Sequence, residues 1–303
     1  MHPTVVTHGG AGASAQHSDG CVAACQAAMA ALSRGEGALL AAVAAVRVLE
    51  DDPRFNAGYG AVYRLDGKTI QVDAGVADEE GCGAVAGLHN VRHPVDVALA
   101  VRRSPHTLMT GAGAQALARK LGIEEEELGT EERRTRAKDA WSRLREDPRW
   151  AGVDVEKLWN FEGPMPFKLP PPSGDTVGAV VRDGNGKLAA AGSTGGTGWS
   201  LLGRVGDTPL FGAGFYVGPH GAVVATGIGE ELTRRLSSRS VHDLMERGMT
   251  AQTAAERHVA SFPGEWDVGI LAVGRHGWGA AANRDMAWAA MEGNTVVGTG
   301  KQR

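Results

Sequence analysis

The sequence predicts a layered α+β protein. Short β-like runs are grouped over 61–88 with no helix between them, stretches with apolar residues at helical spacing come before and after, and further hairpin patterns fill the second half. An alternating βαβ series would instead interleave the two kinds of element, so a parallel doubly wound sheet is not expected.

The elements follow in order. Residues 4–7 (TVVT) read as a short buried strand running into a glycine turn at 8–12, and 19–33 and 38–49 read as two helices. Then AVYRL, TIQVDAGV and CGAVAGL, divided by the turn signals Asp66-Gly67 and Glu80-Gly81, predict a hairpin or meander. Residues 94–103, 111–121 and the highly charged 124–144 are helical, the last facing solvent. Five prolines between Pro164 and Pro172 rule out helix interior or central strand, so 161–175 is an exposed, semi-rigid linker. Directly after it, TVGAVV and KLAAAGST flank the turn 183–186 as a buried hairpin. Strands at 214–217 and 222–226, helices at 230–236, 241–247 and 251–260, and a last hairpin at 268–273 and 279–282 complete the pattern.

Composition removes several function classes. A net charge of −4 with mixed signs offers no basic field for nucleic acid and no polybasic anchor for a membrane. The N-terminus lacks a basic segment followed by an apolar one, and no apolar run reaches about 18 residues, so a cytoplasmic protein is expected. Three cysteines, Cys21, Cys25 and Cys82, cannot all pair, which suits a reducing compartment. Glycine, at 44 of 303 residues, is about twice its usual share of roughly 7%, and its clusters suit a site built on loop amides.

The strongest chemical signal is Thr176 in GDTVGAV, a threonine where the linker meets a strand. Alone it is an ordinary β-branched residue opening a strand. Its context is an ordered set: His8-Gly9-Gly10-Ala11-Gly12 and Phe55-Asn56-Ala57-Gly58-Tyr59-Gly60 upstream, then Ser193-Thr194-Gly195-Gly196, Gly203-Arg204-Val205-Gly206-Asp207-Thr208-Pro209 and Thr226-Gly227-Ile228-Gly229-Glu230 downstream. Over about 4–247 the chain thereby resembles the plant-type asparaginase and isoaspartyl-peptidase family of N-terminal-nucleophile hydrolases.

That resemblance implies a four-layer αββα sandwich over 1–303, cut before Thr176 into an α chain of 1–175 and a β chain of 176–303. It makes Thr176 the nucleophile and, through its freed α-amine, the base. An α-amine with a pKa of about 7.7–8.0 can take a proton from its own hydroxyl at neutral pH. Thr226 and the Gly227 amide are the expected oxyanion donors, Gly227 at a helix start where amides point outward. Arg204 is expected to hold the substrate α-carboxylate and Asp207 its α-ammonium, with Thr226, Gly227 and Gly229 also against the substrate. Taken alone, Arg and Asp at this spacing are a common surface pair. Thr194 is assigned as a hydroxyl orienting Thr176, and Asn56 as a polar group close to it. The family also implies a structural sodium on the main-chain carbonyls of Leu49, Glu50, Asp52, Phe55, Ala57 and Tyr59, no cofactor for catalysis, and a homodimer of αβ units.

Other signals are weaker. His17, Cys21 and Cys25 share one helical face, yet cysteines on an alanine-rich helix are ordinary small core residues. His89 and His93 read as surface histidines, and Trp199 as a residue for the mouth of the site. There is no dinucleotide-binding or Walker A pattern. The expected reaction is release of aspartate from asparagine and β-aspartyl dipeptides. The alternatives are a glycosylasparaginase, toward which Asp175 before the threonine departs, and an uncleaved, non-enzymatic relic.

Overall fold

A computed structural model describes residues 1–146, 175–198 and 200–300. The linker predicted at 161–175, apart from Asp175, and Trp199 lie outside these residues. Twelve strands form two sheets among the described residues. In chain order the strands are β1 (Thr4–Ala11), β2 (Gln71–Asp78), β3 (Gly81–His89), β4 (Leu108–Thr110), β5 (Val177–Arg182) and β6 (Leu188–Thr194), then β7 (Phe215–Gly218), β8 (Gly221–Gly227), β9 (Val268–Gly274), β10 (Trp278–Ala282), β11 (Met286–Glu292) and β12 (Thr295–Thr299). The larger sheet runs β12-β11-β1-β5-β6-β2-β3-β4 and the smaller β10-β9-β8-β7. All pairs are antiparallel except β3 with β4.

The layering follows from side-chain alternation along the strands. In β1, Val5 joins a core with Cys21, Ala24 and Val46 of the helices α1 (Ser18–Ser33) and α2 (Ala38–Asp51), and α3 (Pro94–Arg102) extends it. The next residue, Val6, faces the other way, into a core shared with Phe215, Val224 and Leu271 of the smaller sheet. That sheet repeats the pattern: Val223 and Ile270 turn outward onto α7 (Ser237–Glu246) and α8 (Ala251–Val259), which follow the short α6 (Gly229–Arg234). Helices, sheet, sheet, helices: this is the αββα sandwich. Phe215 is wedged so tightly between the sheets that a Cβ on Gly75 of β2 would stand 2.3 Å from its ring.

Four expectations need correcting. The glycine cluster at 8–12 is not a turn: β1 runs on to Ala11 through a bulge between His8 and Gly10, because β11 supplies partners out to Ala11 while β5 pairs as far as His8. Residues 61–65 join neither sheet; the Arg64 N–H bonds Thr69 and the Leu65 N–H bonds Ser200, so the buried alternation belongs to a loop. The charged helix α5 (Glu131–Glu146) begins after Thr130, whose hydroxyl takes the Arg133 N–H at 3.1 Å. The hairpin expected at 268–273 and 279–282 forms as β9–β10 but is not the last, because β11–β12 follows it. The helix α4 (Gly111–Lys120) lies where it was expected, and no described helix is long and apolar enough to cross a membrane.

Candidate active site

Thr176 immediately precedes β5, in the middle of the larger sheet, and register sets its neighbours. Val177 opposes Ser193, bringing Thr194 at the end of β6 alongside, while His8 of β1 opposes Gly178. From the facing sheet the end of β8 brings Thr226. Burial lowers the His8 pKa to about 3, so the imidazole behind this point is neutral.

The Asp175–Thr176 peptide is gripped on both sides. Its carbonyl oxygen accepts a hydrogen bond from Asn56 Nδ2 at 2.8 Å and one from the Thr194 hydroxyl at 3.2 Å. Both donors are themselves oriented: Asn56 Nδ2 also donates to the Gly196 carbonyl at 2.7 Å, its Oδ1 accepts the Val62 N–H, and Thr194 Oγ1 accepts the Gly196 N–H at 3.0 Å. On the other side the Thr176 N–H donates to Thr226 Oγ1 at 3.4 Å, which also accepts the Ala11 N–H at 3.1 Å. The Thr176 hydroxyl lies 3.2 Å from that of Thr208. Two donors on a carbonyl with a hydroxyl on the adjoining residue is the arrangement that acyl transfer requires.

Thr176, Thr194, Arg204, Asp207, Gly227 and Gly229 line one small cleft. The Arg204 fork is engaged by Glu230, with Nε and Nη2 at 2.9 and 2.8 Å from its two oxygens. Asp207 is buried with Oδ2 unpartnered, and burial pushes its pKa up to about 7, against the pull of Arg204. Gly229 leaves room for both: a Cβ there would stand 2.8 Å from Arg204 Nη2 and 3.0 Å from Asp207 Oδ1.

A family model described as asparaginase matches residues 1–300. The chain belongs to the asparaginase family. A plant-type L-asparaginase of Thermococcus kodakarensis is 36% identical to it over 90% of each chain. An isoaspartyl peptidase of Salmonella typhimurium is 42% identical over 75% of this chain and 71% of its own. An isoaspartyl peptidase/L-asparaginase of Danio rerio is 35% identical over 96% of this chain and 93% of its own.

Within this family member several expected residues stand differently from the sequence reading. Thr194 donates to the Asp175 carbonyl, and the hydroxyl beside Thr176 Oγ1 is that of Thr208, to which the sequence attached no role. Gly227 is not a helix start: it ends β8 at φ +140°, and α6 begins two residues later at Gly229. Arg204 pairs with Glu230 and not with Asp207. Glu230 was visible only as the end of TGIGE, and nothing in that pattern marks it as the arginine's partner. His93 is no free surface histidine: its Nδ1 lies 3.2 Å from the buried Glu50 carboxyl.

Main-chain oxygens do converge in the 49–59 loop. A Cβ on Gly60 would stand 2.7 Å from the carbonyls of both Pro53 and Phe55, and one on Gly58 would stand 2.6 Å from that of Glu50 and 2.4 Å from that of Arg92. The Glu50 and Asp52 carbonyls each also accept an N–H, from Tyr59 and Phe55. The carbonyls of Glu50 and Arg92 thus come together beside Gly58, and those of Pro53 and Phe55 beside Gly60. A side-chain trio on α7, His242, Asp243 and Glu246, is close enough for a metal, but His242 Nε2 accepts the His220 N–H. The ring proton therefore sits on Nδ1, the atom a metal would need, and Arg239 holds Asp243.

Proposed function

We propose that the chain is a self-cleaving amidohydrolase that releases L-aspartate from L-asparagine and from β-aspartyl dipeptides, with Thr176 as nucleophile and base. The observation that carries this reading is the double hydrogen bond on the Asp175 carbonyl beside the Thr176 hydroxyl. In maturation Thr176 Oγ1 adds to the Asp175 carbonyl carbon, and Asn56 and Thr194 stabilise the oxyanion. The C–N bond breaks, the hydroxyl proton passes to the Thr176 nitrogen, and water hydrolyses the resulting ester to the Asp175 carboxylate and a free Thr176.

In turnover the freed amine takes the Oγ1 proton as the oxygen attacks the substrate β-carbonyl. The leaving amine departs with that proton as ammonia or an amino acid, and water hydrolyses the aspartyl ester. Arg204 meets the α-carboxylate, taking it in place of Glu230, and the ionised Asp207 meets the α-ammonium. The relatives named as L-asparaginases and isoaspartyl peptidases support the same substrates here. A sodium on main-chain carbonyls of the 49–59 loop, a homodimer of αβ units and a cytoplasmic location, in keeping with three free cysteines, complete the proposal.

The test pairs intact mass and N-terminal sequencing with product detection from asparagine, β-aspartyl-leucine and a glycosylasparagine. A fragment beginning TVGAVV and aspartate from the first two substrates are expected; any other start removes Thr176, and turnover of the third alone makes the protein a glycosylasparaginase. Thr176→Ser should still cleave, and Thr176→Ala should stay a single inactive chain.

A further inference from the structure

We infer that Thr208 is a further catalytic residue, whose hydroxyl holds Thr176 Oγ1 in its attacking position both in self-cleavage and in turnover. This rests on the reading of Thr176 as nucleophile. Among the described residues, the Thr208 hydroxyl, at 3.2 Å, is the one hydrogen-bond partner of Thr176 Oγ1. Before cleavage the Thr176 nitrogen is an amide, with no lone pair to spare for its own hydroxyl. An outside group must therefore select the one rotamer that aims Oγ1 at the carbonyl.

Thr208 is built to be that group. It is 2% exposed, so its hydroxyl does not exchange partners with bulk water. Pro209 follows it and restricts its backbone to extended conformations. The loop is clamped where the Asp207 carbonyl takes the N–H groups of Leu210 at 2.8 Å and Gly214 at 3.1 Å. Gly214 packs against the same point: a Cβ there would stand 2.6 Å from the Thr208 Cα. The methyl group faces β6, 3.6 Å from where a Cβ on Gly192 would lie, which fixes χ1 and with it the direction of the hydroxyl. The proton account closes without Thr208: the Thr176 proton ends on the Thr176 nitrogen in maturation and on the leaving amine in turnover. Thr208 donates its hydroxyl proton in a hydrogen bond to Thr176 Oγ1, which leaves the nucleophile's own proton free for the nitrogen, and it finishes unchanged.

The test uses the full chain carrying Thr208→Val or Thr208→Ser. Self-cleavage is followed as the appearance of two fragments, and kcat and KM for asparagine are then measured on fully matured protein. The expected result for valine, which keeps the shape and loses the hydroxyl, is a fall of about 10- to 100-fold in both the maturation rate and kcat, with KM within about twofold. Serine should restore both rates to within about threefold. Wild-type rates in the valine variant, or a serine variant as slow as valine, would overturn the inference, the second result by tracing the effect to packing of the methyl. If valine misfolds, Thr208→Ala set against Thr208→Ser gives the same contrast. Failure of the wild-type protein itself to cleave or to hydrolyse asparagine would strike the Thr176 reading instead.

Discussion

The two ends of the cleft are built from different chemistry. On the Asp175–Thr176 peptide and the Thr176 hydroxyl the hydrogen bonds are neutral and already made: Asn56 and Thr194 on the carbonyl, Thr226 on the amide, Thr208 on the hydroxyl. At the other end the groups are charged, and their partners are absent or borrowed. Asp207 keeps an unpartnered oxygen, and Arg204 is held by a carboxylate of the protein itself. The neutral end fits the bond this chain carries, whereas the charged end fits a zwitterion the chain does not carry. Maturation and substrate recognition should therefore be separable by mutation.

The largest effect is expected at the neutral end. Asn56→Ala or Thr194→Val each removes one donor to the carbonyl, a loss of about 3 kcal/mol or roughly 100-fold in the rate of self-cleavage. A denaturing-gel time course reads it, and fragments forming at the wild-type rate would break the comparison. At the charged end Arg204→Lys keeps the charge and loses the fork, so kcat/KM for asparagine should fall by about 2–3 kcal/mol while self-cleavage is spared. An uncleaved lysine variant would show that the two ends are not separate.

A pH profile sharpens the contrast. Burial lifts the Asp207 pKa to about 7, above the usual carboxylate value, so the group is neutral below that pH and ionised above it. The ammonium partner is thus lost as pH falls, and KM for asparagine should rise by up to about tenfold per unit below about 7. An unchanged KM at acid pH would remove Asp207 from the binding site. The smallest effect belongs to Glu230→Gln. It weakens the internal competitor for Arg204, and a half-exposed pair of this kind is worth about 0–1 kcal/mol, so KM should drop slightly with kcat unchanged. A rise in KM would make Glu230 a substrate ligand rather than a stand-in.

The sequence was most informative where motif and element coincide. TVGAVV and KLAAAGST, short apolar runs on either side of the turn 183–186, became β5 and β6, and the helices at 19–33 and 38–49 came out within two residues of their expected ends. Less was legible where burial imitates a strand, as at 61–65, or where alanines blur the period, as in AWAAME of β11. The contacts of the site were out of reach for a different reason. Asn56 meets Asp175 across 119 residues of chain, and Thr208 and Glu230 acquire partners only when separate loops and strands converge. Their types and spacings are those of ordinary loop residues.

The hydrogen bond from the Ala11 amide to Thr226 Oγ1 spans 215 residues and ties an end of the larger sheet to an end of the smaller. The same oxygen takes the Thr176 amide. The self-cleavage proposed above needs Asn56, Thr194 and Thr208 in place as well, so it would follow the docking of strands from both sheets. A cut of that kind would record the completion of folding: a chain with its second sheet still undocked would keep its ends joined, and two fragments would certify that the molecule was once fully assembled.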